Sequence, residues 1–257
     1  MTKDPYAACS ELARCMRSRA CRTTLRMKVT PTRACPSRRR RCRRRSGWRN
    51  CARTARSSAT GSRGTLTIKQ FDLPPQLFYD LLSAFEQDIM KRRYANFAEV
   101  LDYCVRSANP VGRLVLLLHG YRDGQRFAWS DAICTALQLA NFWQDVAVDL
   151  VKDRIYLPED DRQRFNVSEE QLFALTVTPA YRELLKFQVD RAQKIFDEGK
   201  PLPKSLRGLL SLEISLTWHG GTTILQKIRC QNYDTLTKRP KLTKWDLPAL
   251  LLKGLFR

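Results

Sequence analysis

Three side chains spaced four residues apart, Asn141, Asp145 and Asp149, carry the clearest chemical signal in this sequence. At about 100° per residue they fall within roughly 80° of one another on one helix face. One stripe therefore holds an amide and two carboxylates, while Leu137, Leu139, Phe142, Val146 and Val148 give the remaining sides an apolar character suited to burial. Carboxylates taken out of water without partners cost several kcal/mol each, so the stripe calls for cations, hydrogen bonds or a water-filled cavity. Magnesium suits it, because that ion takes hard oxygen ligands from one or two carboxylates and completes its shell with water and phosphate oxygens. A solvated polar stripe is the other reading that this spacing allows.

The elements that must hold these residues read as helices. Leu77, Leu81, Leu82, Phe85 and Ile89 recur at helical spacing behind Pro74 and Pro75, as expected for an amphipathic helix with proline at its start. Further helical patterns cover about 94–108, 110–121, 128–150, 168–174, 179–198 and 203–229, with Gly120, Gly124, Pro158, Gly199, Pro201 and Pro203 in the connections. No stretch alternates long enough for a sheet, so the expected fold is all-α, with the functional stripe inside one continuous helix over 128–150. The apolar and basic stretch 247–256 is expected to pack on the domain, with a membrane interface as the other place for it.

The neighbourhood of the stripe sharpens the reading. Arg154, Tyr156 and Pro158 follow it, and Tyr103, Cys104, Ser107, Ala108, Pro110, Val111 and Gly112 precede it. With Asn141–Asp149, these segments resemble the two signatures of the squalene/phytoene synthase family, and 80–158 is most similar to the hydroxysqualene synthases of bacterial hopanoid pathways. The resemblance, placed from about residue 66 onward, implies a single all-α domain of the isoprenoid-synthase type around a central cavity. It implies magnesium-assisted ionisation of presqualene or farnesyl diphosphate, with hydroxysqualene or a squalene-type C30 product. By the same resemblance Asp145 and Asp149 are the catalytic carboxylates, and Asn141, Asp145 and Asp149 hold metal and diphosphate. Gln138 lies one turn earlier on that wall. Tyr103, Ser107 and Gly112 line the cavity from a neighbouring helix, Gly112 permitting close approach. Ordinary core packing is the alternative for Tyr103, and for Arg154 the choice lies between diphosphate and a surface pair with Asp153 or Asp149. Gln144 stands where many relatives carry Arg, which leaves the diphosphate one cation short. His119 and His219 read as structural.

The family's other aspartate-rich motif is absent from its expected place. Residues 1–64 contain 19 of the 46 basic residues and only two acids, Asp4 and Glu11, for a net +17, while the remaining 193 residues carry +4. Six of the nine cysteines also fall in this segment. It shows no apolar periodicity, so burial cannot offset the entropy of ordering it. The stretch Met16–Pro31, back-translated with permitted codons and read one base out of phase, yields A-F-A-R-x-S-D-D-I-A-D-E-G-D-A, which resembles the missing motif. Residues 1–64 are thus expected to be an out-of-frame translation, 65–257 the helical domain with its N-terminal helices missing or replaced, and the enzyme impaired.

An odd number of cysteines and no C-x-x-C pair argue against disulfides and a zinc site; Cys104, Cys134 and Cys230 read as small buried hydrophobes. No apolar run reaches the roughly 18–20 residues of a membrane span, and no signal-peptide pattern opens the sequence. The expectation is a cytoplasmic protein, with peripheral membrane contact for an apolar product and no nucleic acid. Two other functional classes remain: a non-catalytic helical scaffold of the same fold, and an RNA- or lipid-binding basic arm at 1–64.

Overall fold

The structure, a computed structural model, describes residues 63–255. Among these residues every regular element is helical. In chain order they are α1 (Arg63–Phe71), α2 (Pro75–Met90), α3 (Phe97–Ser107), α4 (Asn109–Leu118), α5 (Gly124–Gln144), α6 (Val146–Leu150), α7 (Glu159–Arg164), α8 (Glu169–Phe173), α9 (Pro179–Gly199), α10 (Leu202–Ser205), α11 (Gly208–Cys230) and α12 (Leu247–Leu255), the last preceded by a 3-10 turn at Lys244–Asp246. The described chain divides into two compact units, one of 63–75 with 117–120 and one of 76–116 with 121–255. The smaller unit contains α1. The reading of 1–64 as a separate segment lies almost entirely outside the described residues.

Local chemistry sets the helix starts of the larger unit. Asn96 accepts the Glu99 N–H at 3.0 Å to cap α3, Asp123 accepts that of Arg126 at 2.9 Å to cap α5, and Thr178 caps α9 with Pro179 in its first turn. Ser168 and Gln171 form a reciprocal capping box on α8. Gly208, with φ at +62°, turns the chain between α10 and α11, which divides the helix expected over 203–229.

The core lies where α5 packs on α9 and α11. Leu139, Trp143, Leu184, Leu185, Phe196 and Leu225 are sealed from solvent there, each large side chain contributing roughly 1.5–3 kcal/mol of transfer free energy. Helix α4 is tied to α5 by Arg113, whose Nε bonds both oxygens of Asp131 at 3.0 and 3.1 Å, and by Thr135 donating to Asn109 at 2.9 Å. Helix α12 packs on α11, with Leu250 buried, so the C-terminal stretch does pack on the domain. Of the three later cysteines, Cys104 is buried and Cys134 half-buried, but Cys230 is exposed near the end of α11, contrary to the expectation of burial.

Candidate functional site

Helix α5 ends at Gln144, and Asp145 takes φ −105° and ψ 16° before α6 begins. The continuous helix expected over 128–150 is thus interrupted at the middle carboxylate. Two backbone bonds meet at the break: the Asp145 N–H reaches the Asn141 carbonyl at 2.9 Å, and the Asp149 N–H reaches that of Asp145 at 2.9 Å. The stripe keeps its i, i+4, i+8 order because the interruption is a change of dihedral angles and not a lost turn.

The three side chains face different surroundings and not one shared hollow. Asn141 faces a cavity of about 730 Å³ walled by Leu137, Ala140, Leu216, Gly221, Ile224 and Leu250. Asp149 faces a separate small recess bounded by Phe142, Arg154 and Tyr156. Asp145 lies between them in sequence and on the stripe, held bidentately by Arg239, whose Nη2 donates at 3.0 Å and whose Nε donates to the other oxygen. Arg239 and Gln144 also line the larger cavity.

Basic side chains meet both carboxylates. Burial pushes the Asp149 carboxyl above its ordinary range, with Asp145 adding to the shift and the Lys152 ammonium at 2.9 Å opposing it. Arg239 is held above its usual value chiefly by its hydrogen bond to Asp145. Each carboxylate therefore has a cationic neighbour, and the pair is charge-compensated from within the chain.

A packed aromatic group adjoins the recess. Tyr156 stacks on Phe142 at 3.7 Å between ring centroids, Tyr94 on Tyr156 at 5.5 Å, and Tyr103 meets Tyr94 edge-on at 6.1 Å. The phenols of Tyr94, Tyr103 and Tyr156 are all raised by burial, that of Tyr94 to about 12, and the neighbouring Asp88 carboxylate adds to each. Tyr103 thus sits in packed aromatic core, the alternative that the sequence left open for it. Arg154 donates to the Asp88 carbonyl, while Asp153 is taken by Arg92 at 2.9 Å and Arg93 at 2.8 Å. Ser107 has a buried hydroxyl without a hydrogen-bond partner among the described residues. Gly112 faces Ser130 and Cys134, where an added Cβ would lie 2.5 Å from the Cys134 sulfur, so its smallness serves helix–helix contact. Gln138 is half-buried on α5, outside the residues that bound either hollow.

Sequence reasoning missed Arg239. It lies 94 residues from Asp145 in a segment without periodicity, so no spacing rule joins the two. The usable signal was the missing positive charge at Gln144, which asks for a cation elsewhere, together with the basic cluster Lys238, Arg239 and Lys241.

The donor set fits magnesium in kind, being carboxylate and amide oxygens only, with Asn141 exposed at the cavity. Among the described residues no group of three or more His, Cys, Asp or Glu gathers into a site that could hold a metal. The described residues would thus supply part of a coordination shell.

Comparison with known proteins agrees with this architecture. The solved structure of squalene synthase HpnC from Alicyclobacillus acidocaldarius superposes with a TM-score of 0.69 at 35% identity, over 77% of this chain and 78% of that one. A dehydrosqualene synthase solved with a ligand gives a TM-score of 0.72 at 19% identity over 84% and 79%, a likeness of fold. The hydroxysqualene synthase of Sinorhizobium fredii is 32% identical over 68% of this chain and 60% of its own length, and the phytoene synthase of Thermus thermophilus is 33% identical over 73% and 64%. The chain spans 44–66% of the length of the first curated relatives it matches. The squalene/phytoene synthase profile matches residues 6–246. That match begins well before residue 66, where the resemblance was expected to start, and takes in most of the basic segment. With a helical fold shared with solved synthases and a profile match over most of its length, the chain belongs to the squalene/phytoene synthase family.

Proposed function

We propose that the chain is a prenyl-diphosphate transferase in which Asn141, Asp145 and Asp149 hold magnesium against the diphosphate of presqualene or farnesyl diphosphate, giving hydroxysqualene or a squalene-type C30 product. The observation that carries this reading is Asn141 on the wall of a 730 Å³ cavity, with Arg239 of that same wall seated on Asp145, the next carboxylate of the stripe. Bound there, magnesium would neutralise the leaving diphosphate as a Lewis acid. Arg239 would supply a bidentate donor to the same anion. Leu137, Leu216, Ile224 and Leu250 would keep water from the prenyl chain, and Tyr156 would offer an aromatic face to positive charge near the recess.

Activity is expected to be weak. Residues 1–64 contain no two carboxylates three or four residues apart, Asp4 and Glu11 being their only acids, and loss of one side of a two-metal clamp costs several kcal/mol of barrier, or orders of magnitude in rate. The out-of-frame reading of Met16–Pro31 rests on codon permissibility, and the family match from residue 6 weighs against extending it over the whole segment. Sequencing the first 200 or so nucleotides of the gene decides it: an intact frame removes the proposal.

Peripheral membrane contact fits the ridge beside the cavity. Leu242, Trp245, Leu247, Leu251 and Leu252 are exposed there among Lys241 and Lys244, the combination that binds an anionic interface. No helix among the described residues is long and apolar enough to cross a membrane.

The assay is magnesium-dependent diphosphate release from presqualene diphosphate. The reading expects slow release that Asp145→Asn abolishes. Release that this substitution leaves unaltered contradicts it.

A further inference from the structure

Gln144 and Asp145 are consecutive, and they meet two consecutive residues of one irregular segment. The Gln144 amide nitrogen donates to the Pro240 carbonyl at 2.7 Å, and the Asp145 carboxylate accepts both donors of Arg239. Gln144 and Pro240 are both buried, so this amide–carbonyl bond is sheltered from water, whereas Arg239 beside it is exposed. Proline fixes its own φ and has no N–H to contribute, which makes residue 240 a stiff anchor. The segment is pinned on both sides of this clasp. Gln231 donates to the Lys238 carbonyl at 2.9 Å, and Asp246 receives the Lys227 ammonium at 2.8 Å and the Thr243 hydroxyl at 2.8 Å. Between these pins Arg239, Lys241 and Leu242 form one edge of the large cavity.

We propose that Gln144 is a positioning residue that, through the Pro240 carbonyl, fixes the 238–242 strap so that Arg239 serves two partners in turn. Without ligand, Arg239 neutralises Asp145. When a divalent cation takes that carboxylate, the guanidinium is released but its backbone stays tethered one residue from the Gln144 bond, within reach of an anion bound beside the cation. Cation and diphosphate then bind with positive linkage, because the cation frees the group that the anion uses. This deepens the functional reading above and rests on it for the identity of the two ligands.

Two measurements on the full chain test this. Trypsin cleavage after Lys238 and Lys241 reports the strap without reference to any ligand, and calorimetric titration with magnesium and with inorganic pyrophosphate reports the exchange. Gln144→Met, similar in volume but without donors, is expected to speed strap cleavage about fivefold, as loss of a typical buried hydrogen bond would, with unchanged far-UV circular dichroism. It is also expected to weaken pyrophosphate binding in magnesium by a similar factor. Arg239→Ala is expected to tighten magnesium alone, by removing its competitor, while weakening pyrophosphate in magnesium. Because Arg239 is exposed, this variant decides the exchange even where Gln144→Met fails to fold. Unchanged cleavage in a folded Gln144→Met overturns the positioning role, and magnesium affinity unchanged or lowered in Arg239→Ala overturns the exchange. If the parent protein binds neither ligand, the magnesium reading and the exchange both fail, while the cleavage rates still decide what Gln144 does.

Discussion

At the scale of single residues, the proposed site includes one carboxylate that the fold holds at a cost. Asp149 has its carboxyl raised by burial, so the folded chain binds more protons than the unfolded one between the ordinary aspartate range and the raised value. Stability therefore falls as pH rises through that window. Replacing Asp149 by Asn removes the desolvated charge and keeps an acceptor for Lys152. We expect a higher Tm near neutral pH, by roughly 2–4 °C, the change that about 1 kcal/mol produces in a domain of this size, with magnesium binding lost. A thermal scan at two pH values checks the sign: the gain should shrink as pH is lowered toward the ordinary aspartate range. The spacing of Asn141, Asp145 and Asp149 was legible in the sequence because a four-residue interval is a local property of a helix. Their partners were not. Arg239 reaches Asp145 through tertiary structure, and Lys152 is a local partner whose rotamer no pattern fixes.

At the scale of elements, periodicity located the long helices and failed where polarity or a bend interrupts it. Helices α5, α9 and α11 have apolar faces that spacing shows directly. Helix α7, Glu159–Arg164, is wholly polar in sequence and buries Asp161 and Arg162 instead. Its stability comes from tertiary partners such as Gln188, which donates to Asp161 at 2.7 Å, and Arg191 at 2.9 Å, and these leave no apolar period to read. The bend at Asp145 likewise has no glycine or proline to announce it. Close packing of α4 on α5 makes a sharper prediction. Gly112→Ala places a methyl 2.5 Å from the Cys134 sulfur and closer still to the Ser130 hydroxyl. Overpacking of this kind costs about 1–3 kcal/mol. The midpoint of chemical denaturation should fall with an unchanged slope, whereas wild-type stability would show that α4 shifts freely.

At the scale of the whole molecule, an all-α family fold was legible because several short motifs fall in the right order along one chain. The route from stripe to cavity was not, because a cavity is a property of what α5, α11 and α12 leave unfilled. The same scale sets the expectation for membranes. Trp245 is 92% exposed beside the exposed leucines of α12, so vesicles containing anionic lipid should shift its fluorescence to the blue, and Trp245→Ala should weaken vesicle co-sedimentation. Equal binding by that variant would move the contact elsewhere. The strong charge of residues 1–64 makes salt dependence a useful control. A deletion of that segment that leaves the Trp245 shift intact would assign the contact to the ridge.

The central claim is that the Asn141–Asp145–Asp149 stripe binds a divalent cation together with a diphosphate. Calorimetric titration of magnesium into the full chain, with and without inorganic pyrophosphate, addresses it most directly. The account predicts magnesium binding strengthened by pyrophosphate in the parent protein and reduced at least about tenfold in Asp145→Asn, the scale set by loss of a charged ligand. Equal magnesium affinity in the parent and in Asp145→Asn would contradict it.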